Sequence, residues 1–467
     1  MALQFVDFVP RMQQREVPFS TLSLSGNIAG PRYEDFGEVL ARANAWLAEA
    51  DRSVKLVSCE ALDVDGVYGA DDNDDDVTHH VTVSARRAAA LRKMPAFVRV
   101  LRLWTRRDTD SPETAGSADS GGGVLWSVHT RLGCVNIVPC RLESTPHALG
   151  PKFQGLGDMM RQFNERLDRV DDVIPGRILS IQTSVCRFNS KHCSLDPNRT
   201  FWLTNDPDDV HTCYYVQVFY TTGSTAHVDH IGFRDFPPAC GAPRRQHKTA
   251  PVNTENVSTL VRRAGAWLDS QAGNKRLVSV QLLDHRLNYD IYNDKPTTEH
   301  LRTLLDRPHV VTSLRTTTYH TRVVRVFYTD TSTVMPRDGD NRQFPPNCCK
   351  IFHVPISHRV MDNQFVDGQI DIVLTKHGEV ERRLGKWLHQ THDLGVVLLA
   401  TVKLVTGHDV IQVASAENCH SVSGQHYINH VIYALVVYTR LADEQKDKRL
   451  SPEPRHVRLA HNNCDIL

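Results

Sequence analysis

The feature that most constrains this chain is internal repetition at domain-sized spacing, because a chain that repeats must fold as a series of related units. Three segments carry a Trp-Leu pair at the end of a helical pattern: Arg42-Ala43-Asn44-Ala45-Trp46-Leu47, Arg263-Ala264-Gly265-Ala266-Trp267-Leu268 and Arg383-Leu384-Gly385-Lys386-Trp387-Leu388. A fourth, Gln162-Phe163-Asn164-Glu165-Arg166-Leu167, fits the same frame with Arg in place of Trp. Beyond each lies an apolar strand, with a serine in three of the copies: Leu56-Val57-Ser58-Cys59, Ile178-Leu179-Ser180-Ile181 and Leu277-Val278-Ser279-Val280. The fourth copy reads Val397-Leu398-Leu399-Ala400 there. A third landmark follows in the same order, an aromatic residue before a threonine: Leu103-Trp104-Thr105, Phe219-Tyr220-Thr221, Phe327-Tyr328-Thr329 and Val437-Tyr438-Thr439.

The repeat length of about 100 to 120 residues exceeds the 20–50-residue units of solenoids and propellers, so each copy is a small domain. Counting back from Leu47, apolar residues fall at Ala43, Leu40 and Phe36; from Leu268 they fall at Ala264, Val261 and Val257. That spacing is one face of an amphipathic helix. The flanking runs are rich in Val, Leu, Ile, Phe and Tyr, which suit a half-buried sheet.

Each unit therefore reads as strand, helix, strand, long excursion, strand. Candidate first strands are Ile370-Asp371-Ile372-Val373-Leu374 and Thr21-Leu22-Ser23-Leu24. Candidate final edge strands are Cys134-Val135-Asn136-Ile137-Val138, Lys350-Ile351-Phe352-His353-Val354 and His456-Val457-Arg458-Leu459. The expected fold class is α+β, four tandem copies of a small helix-on-sheet unit packed against each other. The units span 1–145, 146–250, 251–358 and 359–467. The first is enlarged by an acidic loop at 71–76 and a polar linker at 107–123.

Charge narrows the function. The 54 Lys and Arg balance 54 Asp and Glu, which argues against a chain whose main work is coating a polyanion. No apolar run reaches the roughly 18–20 residues of a membrane helix, and Met1 to Gln14 lacks the pattern of a signal peptide. Eleven irregularly spaced cysteines suit reduced thiols, so the expected location is cytoplasmic.

Candidate chemistry is sparse. The acidic run Asp71-Asp72-Asn73-Asp74-Asp75-Asp76 lacks the glycine and the closing Glu of a calcium loop and reads as a solvated loop. Downstream, Arg86, Arg87, Arg92, Lys93, Arg99, Arg102, Arg106 and Arg107 form a basic stretch that is a candidate phosphate contact, centred on Arg86, Arg87, Arg92 and Lys93. His227, Asp229 and His230 are the best local metal candidates, though no second ligand pair stands at zinc-site spacing. Cys240, Cys348-Cys349 and Cys419-His420 lack the spacing of a redox or nucleophile motif. The repeated Trp46, Trp267 and Trp387 read as packing anchors.

The copies share apolar and aromatic landmarks, while no acid, base or nucleophile recurs in all of them. The sequence therefore points to a non-enzymatic interaction or scaffold protein with a protein partner, with its units paired intramolecularly and no cofactor. An enzyme or ligand binder with a site between two units is the first alternative. Nucleic-acid binding through 86–107 is the second.

Overall fold

The computed structural model describes residues 2–14, 32–50, 54–68, 94–107, 131–142, 151–169, 174–188, 195–203, 210–227, 230–239, 255–271, 274–287, 305–306, 309–312, 318–330, 348–354, 359–361, 364–366, 395–407, 420–423 and 429–440. It is a sheet-rich α+β structure with few helices. The N-terminal part runs β1 (Ala2–Phe8), β2 (Met12–Gln14), β3 (Arg32–Tyr33), α1 (Phe36–Glu49), β4 (Val54–Tyr68) and β5 (Met94–Arg107). Next come β6 (Leu132–Ile137), α2 (Leu156–Leu167), β7 (Ile174–Phe188), β8 (Phe201–Leu203) and β9 (Val210–His227). Then follow β10 (Ile231–Phe236), α3 (Val257–Ser270), β11 (Lys275–Leu287), β12 (His309–Thr312) and β13 (Thr318–Asp330). The last stretch holds β14 (Cys348–Val354), β15 (Arg359–Met361), β16 (Gln364–Val366), β17 (Gly395–Gly407), β18 (His420–Ser423) and β19 (Asn429–Arg440). No helix among the described residues is long and apolar enough to cross a membrane.

The helices form where the apolar stripe and the caps coincide. In α1 the buried residues are Phe36, Val39, Ala43 and Leu47, and in α3 they include Val257, Val261, Ala264 and Leu268. Asp35 and Glu38 make a reciprocal capping box at the start of α1, and the Asn256 side chain accepts from Thr259 N at 2.8 Å in α3. Glycine precedes α2 and offers no cap, so Asp306, far along the chain, accepts from Gly157 N at 2.7 Å. Trp46 packs edge-on against Phe8, and Trp267 lies between Phe236 and Tyr328, as packing anchors.

Sheet pairing corrects one feature of the sequence reading. The strands 132–137 and 348–354 do not close the sheets before them: β6 pairs with β9, β10 with β13 and β14 with β19. Each is the outer strand of the sheet that follows, as β1 is of the β5 sheet. An alternating pattern marks a strand but does not say which neighbour it joins. The candidate runs at 21–24, 370–374 and 456–459 lie outside the described residues. In every case the central strand, β5, β9, β13 or β19, is flanked on its other side by β4, β7, β11 or β17.

All four flanking strands carry a bulge near the same place, between Leu56 and Ser58, Ile178 and Ser180, Leu277 and Ser279, and Val396 and Leu398. Two landmark alignments shift by one residue as a result. Ser58, Ser180 and Ser279 oppose Trp104, Phe219 and Phe327, so Trp104 matches the two phenylalanines rather than Tyr220 and Tyr328. The residue of β17 at the serine place is Leu398, not Leu399. Gly133 and Gly232 sit opposite Tyr220 and Tyr328, whose rings lie where a Cβ would stand, 2.3 and 2.5 Å away.

The core joins neighbouring sheets. The α1 stripe packs on Leu56, Leu101 and Leu103 and also on Leu132 of β6 and Phe219 of β9. The α2 stripe packs on Ile178, Ile181 and Val216 together with Ile231 of β10. Asn44 completes the first junction: its amide donates to Leu132 O at 2.9 Å and accepts from Leu132 N at 2.7 Å. Asn164 holds Ile231 in the same two-point manner, at 2.8 and 2.9 Å. A strand edge that would otherwise lie open is thus capped by a helix side chain.

Candidate functional site, a buried polar seam

The bulged strands β4, β7, β11 and β17 are the inner edges of their sheets, and they pack in a closed cycle, β4 on β7, β7 on β11, β11 on β17 and β17 on β4. An exposed strand edge demands hydrogen-bond partners. Side chains supply them here. Gln182 of β7 reaches the β4 backbone, accepting from Ala61 N at 3.0 Å and donating to Ala61 O at 3.1 Å. Ser180 Oγ donates to Cys59 O at 2.7 Å. One junction further on, Gln281 of β11 accepts from Thr183 N at 2.8 Å and donates to Thr183 O at 2.9 Å, and Ser279 Oγ accepts from Ile181 N at 2.8 Å. The same residue types at the same offset from the bulge clasp two successive junctions head to tail.

Behind the clasps runs a polar ladder across each of three sheets, buried at its central Arg102, Gln217 or Arg325. In register these are Asp7, Arg102 and Glu60; Asn136, Gln217 and Gln182; and Asp235, Arg325 and Gln281. Arg102 and Arg325 form two-point pairs with Asp7 and Asp235, all four N···O distances lying between 2.6 and 2.7 Å. Gln217 donates to Asn136 Oδ1 at 3.2 Å. The Trp104 indole donates to Glu60 Oε1 at 2.9 Å. Arg325 Nη1 also donates to Thr183 Oγ1 at 2.9 Å, which ties its ladder to the β7–β11 seam.

A dense polar cluster surrounds Arg99, where the β4–β5 pair meets the β7–β9 pair. Its guanidinium is wholly buried and donates to Asp63 Oδ1 at 2.9 Å, to the Tyr215 hydroxyl at 2.6 Å, and to the carbonyls of Val185 and Pro197. Trp202 of β8 stacks on it with its ring centre 4.8 Å away. Burial opposes the charge, but Asp63 and Tyr215 outweigh it and keep Arg99 firmly protonated. Burial pushes the Tyr215 phenol up, and it pushes the Cys134 and Cys186 thiols to about 12, with Arg99 pulling the other way in each case. Cys59 is raised by burial as well. These groups stay neutral near pH 7, so this cluster holds no thiolate nucleophile.

The sequence candidates fall elsewhere or change meaning. Arg86, Arg87, Arg92 and Lys93, the acidic run at 71–76, and Cys240 and Cys419 lie outside the described residues. Arg99 and Arg102 are 0 % exposed and paired with carboxylates, which corrects their reading as part of a solvent-facing basic stretch. The acids that neutralise them stand on β4 and β1, out of sight along the β5 sequence. Asp229 and the His227 side chain lie outside the described parts. His230 pairs instead with Asp168 at the end of α2, Nε2 to Oδ1 at 2.7 Å.

Among the described residues, no three His, Cys, Asp or Glu side chains converge as a metal-holding group. Sequence reasoning missed Asp63, Tyr215 and the two clasping glutamines. Its signal for the glutamines was present: a polar residue two places after each landmark serine, at Glu60, Gln182 and Gln281, in otherwise apolar strands. No family model, curated protein or solved structure matches the chain.

Proposed function

We propose that this chain is a non-enzymatic interaction protein, a scaffold of four tandem strand–helix–strand–strand units whose loops present binding surface to a protein partner. The observation that carries the reading is the filled seam. The convergent polar groups between sheets, Arg99 with Asp63 and Tyr215 and the Ser and Gln clasps, bond to each other and to the backbone of the chain itself. Chemistry of this kind holds packed sheets together, and in this cluster the polar groups are turned to one another.

The unit reading is supported by the recurring bulge, the clasps at a fixed offset and the Asn44 and Asn164 junctions. We place the unit boundaries ahead of each outer strand, within 108–131, 228–230 and 331–347, instead of behind it. Five free cysteines among the described residues favour a reducing compartment, and we assign the chain to the cytoplasm on that ground.

Proximity labelling in the native cell with the full chain tests the reading. A recurrent protein partner is expected, and it is lost when residues 69–93, the excursion between β4 and β5, are replaced by a short Gly-Ser linker, with an unchanged circular dichroism spectrum as the check on folding. Recovery of the chain alone with a stoichiometric metal by elemental analysis would turn the assignment toward a metal or ligand site at His227, Asp229 and His230. A low-salt nucleic-acid shift abolished by replacing Arg86, Arg87 and Lys93 with Ala would turn it toward nucleic acid.

A further inference from the structure

We propose that Cys186 and Cys213 are a latent dithiol whose oxidation by a small-molecule disulfide, such as glutathione disulfide, forms a covalent bond between β7 and β9. The two residues are direct register partners on adjacent antiparallel strands. Side chains so placed share one face of the sheet, with Cβ atoms about 4.5–5.5 Å apart, so that closing the bond draws them in to the roughly 3.5–4.5 Å of a disulfide. Facing Cα atoms at about 4.5–5.5 Å fall inside the roughly 4.4–6.8 Å that a disulfide spans. Both are free cysteines, and each thiol is close enough for the Cys186 charge to bear on Cys213.

Register singles out this pair: among the described strands, no other two cysteines face each other. Cys59 Sγ lies 3.6 Å from Ser180 Oγ, and Cys134 Sγ donates to Asn136 Oδ1 at 3.7 Å. Cys186 shares a hydrogen bond with Arg99, and Cys213 Sγ donates to the Tyr214 carbonyl at 3.8 Å; local opening of the strands must release both before exchange.

The exchange balances without another reactant. One protein thiolate attacks the small disulfide and releases one small thiol; the second protein thiolate displaces the other, so two thiol protons leave on two small thiols and one protein S–S bond forms. Because both cysteines are buried, the attack waits on local opening of the strands, and the pair is slow to oxidise and stable once closed. The bond would close the stretch from 186 to 213, which carries the Pro197 carbonyl and Trp202 that hold Arg99. Oxidation therefore locks the segment that joins the β7–β9 pair to β5.

The test incubates the folded full-length chain with millimolar glutathione disulfide, blocks remaining thiols by alkylation, and maps the digest by mass spectrometry. The expected result is a Cys186–Cys213 linked peptide in most molecules, reversed by dithiothreitol, with unchanged circular dichroism and a raised melting temperature. It is measured on the natural sequence, so it does not depend on a variant folding; Cys186→Ser and Cys213→Ser should each abolish it. Alkylation of both cysteines after long incubation would overturn the proposal. So would a bond from either one to Cys59 or Cys134, or glutathione retained on Cys186 without closure.

Discussion

The ladder across the β5 sheet and the ladder across the β9 sheet occupy the same place relative to the bulge and answer the same need with different chemistry. The first is charged, Arg102 held by Asp7; the second is neutral, Gln217 held by Asn136. Arg102 and Gln217 are both 0 % exposed. A buried ion pair gains attraction but loses the hydration of two ions, and the two nearly cancel when the geometry is good. What the position requires is therefore a satisfied set of donors and acceptors. Net charge is optional there. The β13 ladder returns to the charged form with Asp235 and Arg325, and adds a bond to Thr183 on the neighbouring sheet.

The comparison breaks first if the charged ladders tolerate losing one partner. Asp235→Ala would strand the Arg325 guanidinium in the interior and loosen its hold on Thr183, costing about 3–5 kcal/mol in urea unfolding. The triple exchange Asp7→Asn, Arg102→Gln and Glu60→Gln, which copies the neutral ladder Asn136, Gln217 and Gln182, should stay within about 1.5 kcal/mol of the natural chain. If the triple exchange proves as damaging as the single loss, charge is required at that position and the equivalence of the two ladders fails.

Alkaline pH probes the β9 side of the comparison, where the neutral groups gather. Cys134 and Cys186, raised to about 12 by burial, and Tyr215, raised as well, bind protons more tightly folded than unfolded. Their contribution is fully present below the unfolded thiol value near 8.5 and is lost as pH rises toward the folded values. Stability should thus be flat from pH 7 to about 8 and then fall by as much as about 1.4 kcal/mol per pH unit for each thiol. Replacing Cys134 and Cys186 with Ala should remove about half of the fall below pH 10 in chemical denaturation, the rest belonging to the Cys59 and Cys213 thiols, which burial also raises. An unchanged slope would mean that these thiols are not held neutral by burial.

The clasps give a smaller effect. Gln281→Leu leaves Thr183 N and O without their side-chain partners, at about 1–3 kcal/mol, the cost of a buried group left unsatisfied. Gln182→Leu should cost more, because Gln182 also donates to Ser184 and Gln217 inside the neutral ladder. Equal losses would show that the ladder and the seam are energetically separate.

These contrasts explain what the sequence could carry. The helices were legible because their stripes and caps are local: the spacing of Val257, Val261, Ala264 and Leu268 matches their burial. The serine landmarks were legible as positions, yet their role was not, since the atoms they bond belong to a strand about 100 residues away. Pairing failed for a related reason. Nothing in Leu132–Ile137 distinguishes β5 from β9 as its neighbour; both sides of β5 are filled by β1 and β4, strands that precede it in the chain, and β6 pairs with β9. The one-residue shift at Trp104 arose because an apolar-aromatic-threonine triplet reads alike in both registers, and only the bulge decides between them. Arg99 was misread as a surface base because its counter-ion, Asp63, stands on another strand.

The exposed pair His230–Asp168 marks the far end of the same scale. Both side chains are well exposed, 42 % and 62 %, so water and salt already screen them and the bond orders two mobile groups for little gain. Asp168→Asn should change stability by less than about 1 kcal/mol, against several for Asp235→Ala. Measuring the two variants side by side at low and high salt separates a shared electrostatic origin from a difference of burial. A drop at Asp168 comparable to that at Asp235, and insensitive to salt, would mean that the α2 end is packed more deeply than its exposure allows.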